Sequence, residues 1–215
     1  MNGSSSQKLL GAAGLGLILI AVFGGGPTLG QNLLGLSLLA SKNLFWWAMF
    51  GLVPFYVLVI ERRPLSSVGL MRPTWKTLAF GVGGAVALFA AIPLVLLINQ
   101  AFHLPSQRGS AADLAIRATP FWFRLQLVLR AALAEEIVFR GFAMERVREL
   151  TGSRALGLLL PLAVFVVAHA GSWGWSALVG VGVAGLVLSL LYLWRRDLGA
   201  NMIAHFVIDG LQLLL

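Results

Sequence analysis

Long apolar runs, broken at intervals by short clusters of arginine, lysine, proline and glycine, set the pattern of this chain. The runs cover residues 9–24, 44–60, 78–98, 156–170, 177–194 and 198–215, and Pro93 falls inside the third. A further stretch, 121–150, is helical in pattern but mixes apolar residues with several charges. Several runs approach the ~20 residues that a helix needs to cross a ~30 Å hydrocarbon core. Lipid leaves no partner for irregular backbone, so such runs predict helices and no open sheet. The expected fold is all-α: a polytopic transmembrane helical bundle of about seven spans.

The connections carry the rest of the pattern. Residues 25–43 hold Gly, Pro and Asn, and their apolar piece 33–40 is too short to cross alone. The segment ERRPLSSVGLMRPTWK (61–76) is a polar loop, and 99–119 is the longest polar connection. With the N-terminus inside, one side receives Lys8, Arg62, Arg63, Arg72, Lys76, Arg146, Arg148, Arg154, Arg195 and Arg196. The other side receives Lys42, Arg108 and Arg117. Ten against three predicts a cytoplasmic N-terminus in a multi-pass protein of the cell membrane. Trp46, Trp47, Trp122, Trp173, Trp175 and Trp194 lie near span ends, where interfacial anchors are expected. The N-terminal stretch resembles a signal peptide but lacks a clear small-x-small cleavage site, so it reads as an uncleaved first helix. Two parts are expected in one integral bundle: N-terminal helices over 1–60 and a catalytic membrane core over 61–215.

Composition supports the membrane assignment. Of 215 residues, 59% are hydrophobic and 11% charged, with mean hydropathy +0.88; a soluble domain carries about twice that charged fraction. The net charge of +8 falls on the connections. No basic stripe with interleaved aromatics is present, so nucleic acid is not an expected partner. Cysteine is absent, which excludes disulfides, thiolate catalysis and Cys-based metal sites.

Against this background, charges inside helices are candidates for function. AALAEEIVFRGF carries Glu135, Glu136 and Arg140; AVFVVAHAG carries His169; ANMIAHFVIDG carries His205 and Asp209, four residues apart and on one helix face. At ~1.5 Å per residue, Glu135 lies roughly 16 Å from Arg146, and His169 roughly 22 Å from Arg154. By the same rise His205 and Asp209 lie roughly 14 and 20 Å from Arg196. These depths agree within about two turns, so three helices are expected to bring polar groups into one pocket. Each residue also has a plainer explanation. Glu136 and Arg140 stand at i,i+4 and suit a structural ion pair. His169 and the His205–Asp209 pair suit interhelical hydrogen bonding. Arg124 and Arg130 are the awkward charges: snorkelling suits the first, and pairing with a carboxylate or marking an interfacial helix start suits the second.

EEIVFRG, Phe165 to His169 and His205 to Asp209 resemble, in this order, the three motifs of the CPBP family. Its members are CAAX-protease and bacteriocin-processing intramembrane proteases, akin to type II prenyl-protein endopeptidases. The loop RRPLSSVGLMRP resembles the connection that often precedes the family core, so the resemblance runs from about Ile60 to the C-terminus. It departs at Asp209, where the last motif often ends in Asn. The resemblance implies that Glu135 activates a water for attack on a peptide carbonyl, with His169 assisting. Arg140 would hold Glu136 ionised, and His205 with residue 209 would stabilise the oxyanion. The implied substrate is a peptide or protein, prenylated in CAAX-type enzymes, met in membrane lipid. The cofactor expectation is either none or one divalent metal such as zinc, in which case Glu135, His169 and His205 would be its ligands. Two other classes use the same residues: a non-catalytic immunity or scaffold protein, and an ion or proton translocator.

Overall fold

The computed structural model describes residues 3–105, 108–174 and 177–214, and every regular element among them is helical. The helices are α1 (Gly3–Phe23), α2 (Leu29–Leu34), α3 (Leu38–Phe55), α4 (Trp75–Ala101), α5 (Ala111–Arg117), α6 (Phe121–Arg130), α7 (Met144–Thr151), α8 (Arg154–Trp173), α9 (Leu178–Arg195) and α10 (Leu198–Leu213). Two π-helical segments join them without a break, Tyr56–Ile60 at the end of α3 and Ala131–Ala143 between α6 and α7. Each apolar run of the sequence therefore lies in a helix. Among the described residues four helices are long and apolar enough to cross a membrane: Ser5–Phe23, Leu38–Ile60, Trp75–Ala101 and Leu178–Arg195. The last residue of the 198–215 run lies outside the described residues.

The two ambiguous connections are more ordered than their composition suggests. Ser37 caps α3 by accepting the Ala40 N–H at 3.3 Å, so that helix starts six residues before its apolar run. Ser41 is buried; its hydroxyl donates to the Pro27 carbonyl at 2.8 Å and accepts from the Gln31 N–H at 3.1 Å. These bonds fold 26–34 back against α3. In the 99–119 connection, α4 continues to Ala101 and Ser110 caps α5.

The Ala131–Ala143 segment forms the centre of the bundle, with twelve of its thirteen residues buried. It packs on α3, α6, α8 and α10, with the Phe139 ring 6.0 Å from Trp46 and 5.1 Å from Phe165. Helices α4 and α10 meet through glycine. A Cβ on Gly81 would stand 2.7 Å from that of Ile203, and one on Gly84 3.0 Å from that of Ala204. The α4–α10 pair is also tied at one end, where the Thr77 hydroxyl donates to Asp197 at 2.8 Å and Asp197 caps α10.

The tryptophans divide. Trp122 and Trp194 are exposed, as anchors would be. Trp46 turns inward onto Phe139, Trp47 donates to Gln126 at 3.0 Å, and Trp173 packs beside the Ile116–Leu127–Val128 cluster. Trp175 lies outside the described residues. Arg146, counted above among the loop charges, is fully buried against Glu61. Its charge is spent inside the protein.

Candidate active site

A π turn closes its backbone bonds five residues back, and such turns cluster at functional sites. At the end of the central segment the Met144 N–H donates to the Phe139 carbonyl in this way. The wider turn brings consecutive residues closer in direction than an α-helix does, so Glu135 and Glu136 both point inward and both are buried. Small neighbours permit the crowding. Gly141 is one: a Cβ there would stand 2.8 Å from both Leu198 Cδ1 and the Val68 carbonyl.

The two carboxylates have different surroundings. Glu136 is saturated: Oε1 accepts from Arg140 Nη1 at 2.9 Å and faces His205 Nδ1 at 2.8 Å, while Oε2 accepts from Asn201 Nδ2 at 3.1 Å. Arg140 also donates to the Gly185 carbonyl at 3.3 Å and lies 4.2 Å over the Phe165 ring. Gly185 allows α9 this approach, since a Cβ there would stand 2.8 Å from Leu162. Glu135 is held more loosely. Its Oε1 accepts from Arg130 at 3.3 Å, and its Oε2 stands 3.7 Å from His169 Nε2.

The histidines divide in the same way. His169 Nδ1 lies 2.8 Å from the Phe165 carbonyl. A carbonyl only accepts, so Nδ1 carries the proton and, in the neutral ring, Nε2 presents a lone pair towards Glu135. Phe165 also supports the ring face, centroid to centroid at 4.4 Å. His205 stands between two carboxylates, Nδ1 at Glu136 and Nε2 3.3 Å from Asp209 Oδ2. A ring protonated at both nitrogens donates to both.

Five of the six residues singled out in the sequence therefore sit within one contact of a carboxylate of the central segment, and Asp209 joins through His205. Arg130 takes the carboxylate-pairing role foreseen for it. Arg124 donates to the Leu213 carbonyl at 3.1 Å. Asn201 is the member that sequence reading missed, although 201, 205 and 209 share one helix face at i,i+4 spacing.

Zinc chemistry needs three protein donors around one point. His205 turns both ring nitrogens to Glu136 and Asp209, and no group of three His, Cys, Asp or Glu side chains among the described residues is arranged to hold a metal ion. The set Glu135, His169 and His205 does not fit one.

No curated protein and no solved structure matches the chain. A family model does, over a narrower range than the 60–215 expected from the motifs. Residues 117–211, which carry every residue of the site, match the family model described as type II CAAX prenyl endopeptidase Rce1-like.

Proposed function

We propose that the chain is a multi-pass intramembrane peptidase in which Glu135 and His169 together activate the attacking water. The observation that carries this reading is the 3.7 Å gap between Glu135 Oε2 and His169 Nε2. Two acceptors facing each other at that distance repel unless protons lie between them. A water donating one hydrogen to each satisfies both and turns its lone pairs outward.

From that position the water attacks the scissile carbonyl carbon as Glu135 takes its proton. The tetrahedral oxyanion needs a preorganised donor, and His205 Nε2–H, released from its long bond to Asp209, takes that role. When the C–N bond breaks, the proton held by Glu135 passes to the leaving amine. Arg140, Asn201 and Glu136 act as positioning residues: they fix His205 and hold the π segment in register. Arg130 supplies Glu135 with a counter-charge at 3.3 Å in the buried site. The substrate proposed is a membrane-borne peptide or protein of CAAX type, entering from the side that carries the 61–76 loop. The helices beyond the four apolar spans complete a bundle of about seven, with the N-terminus cytoplasmic.

A scaffold would make no use of an open acceptor pair, and a translocator would need a continuous relay. The test is cleavage of a prenylated CAAX-type peptide by the purified protein and by Glu135→Gln. Cleavage by the first and not the second is the expected result. Equal cleavage by both would overturn the mechanism.

A further inference from the structure

A cavity of about 550 Å³ opens where α7, the start of α8 and the end of α9 meet, and none of the active-site residues line it. Arg148, Arg154 and Arg196 bring three positive charges to it and Glu145 one negative. The Glu145 carboxylate is already taken by Arg148, by Arg196 Nε at 2.8 Å and by the Tyr192 hydroxyl at 3.2 Å. Two formal positive charges therefore remain without an anion. Arg154 is exposed, and no hydrogen bond or ion pair holds its side chain among the described residues.

We propose that this cavity binds the phosphate headgroup of an anionic phospholipid. The volume suits a small-molecule site, and planar guanidinium groups match phosphate oxygens. The position selects a lipid over a free anion. Helix α9 is apolar enough to cross a membrane and ends at Arg195, so the cavity stands at the headgroup level of that span. Leu190 and Leu193 line its wall. Leu190 is half-exposed, and Trp194 beside it is two-thirds exposed. That arrangement is charged at one end and apolar along the helix, as a bound amphiphile requires.

The full chain is placed in phosphatidylcholine nanodiscs with and without phosphatidylglycerol, and lipid retained on the protein is counted by native mass spectrometry. Phosphatidylglycerol is expected to be retained in preference to phosphatidylcholine. Arg154→Ala should weaken that retention about fivefold, and Arg154→Lys, which keeps the charge but not the planar fork, should restore part of it. Thermal midpoints in detergent without lipid should match for the three proteins, which separates lost binding from lost folding. Equal retention of both lipids, or no effect of Arg154→Ala in a folded protein, would overturn the proposal. Equal thermal stabilisation by inorganic phosphate and by phosphatidylglycerol would overturn it too, since the site would then take soluble phosphate.

Discussion

Glu135 Oε2 and His169 Nε2 face each other at 3.7 Å, and the bond from His169 Nδ1 to the Phe165 carbonyl fixes which nitrogen carries the proton. The adjacent carboxylate, Glu136, has no such freedom, with three donors on its two oxygens. Two neighbouring glutamates are thereby assigned different work. Glutamine at 135 keeps the shape but cannot take a proton from water. Glu135→Gln should fold normally and lose at least ~10²-fold in kcat. Glu136→Gln should lose stability as well, because Arg140 would remain buried without its counter-charge. Cleavage kinetics and thermal melts of both proteins check this; matching melts and matching activity losses would contradict the division.

Asn201 supplies a second test. Its Nδ2 donates to Glu136 at 3.1 Å and to the Leu188 carbonyl at 2.8 Å, so it ties α10 to both the π segment and α9. Asn201→Ala should cost about 1–3 kcal/mol, the usual penalty for stranding buried acceptors. Its kcat should fall with little change in KM, since it steadies His205 without reaching substrate. Denaturation curves and steady-state kinetics measure the two effects, and a KM-only defect would place Asn201 on the substrate path instead.

The cluster of site residues was largely legible in the sequence because helix rise is regular: counts from the arginine-bearing positions put Glu135, His169 and His205 at depths that agree within about two turns. What stayed hidden depended on departures from that regularity or on distance along the chain. Counting residues at 3.6 per turn sets Glu135 and Glu136 about 100° apart, and the wider turn of the π segment narrows that angle. Asn201 shares the His205 face but is uncharged, so a search for costly membrane charges passes over it. Glu61 and Arg146 look like loop charges until 85 residues of chain fold them together.

The proposed membrane orientation can be tested at the connections. Cysteine labelling from each side, in a chain with no native cysteine, should place 61–76 in the cytoplasm and the α5 region outside. Arg146 drops out of the charge count because it is buried inside the protein, leaving nine against three, and the bias keeps its sign. Labelling of 61–76 from the outer face would reverse the side of substrate entry.

Helix α5 should carry a pH signature. The Gly109 N–H, at 2.9 Å, holds the Asp113 carboxyl below its ordinary value, aided by Arg117 and opposed by burial. Arg117 in turn donates to the Gln212 carbonyl at 2.8 Å. A depressed folded pKa gives stability that is complete above the unfolded value of about 3.9 and is lost as pH falls through the lower folded one. Protection of 111–117 from hydrogen exchange, relative to the free-chain rate at each pH, should therefore hold at neutral pH and fall only below about pH 4. Asp113→Asn should remove the pH dependence; an unchanged profile would show that another group governs it.

Glu61, just past the Tyr56–Ile60 segment, and Arg146 of α7 form a buried ion pair. Arg146 Nε and Nη2 reach the Glu61 carboxylate at 2.8 and 2.5 Å, and both side chains are wholly buried. Arg146 also donates to Ser67 at 3.3 Å, fastening the 61–76 loop to α7. Arg146 stands on the helix that continues directly from the Glu135-bearing segment, yet neither partner touches an active-site residue. Removing one partner strands a charge, so Arg146→Met and Glu61→Leu should each cost about 3–5 kcal/mol. The double variant strands nothing and fills the space with apolar atoms, so it should recover most of the loss. Urea melts of the four proteins in one detergent give the coupling directly. Cleavage by the double variant should stay within a few-fold of wild type, because the pair positions the loop and takes no part in the chemistry. A double variant as unstable as either single one would mean that the buried ion pair itself, and not avoidance of a stranded charge, holds α3 to α7.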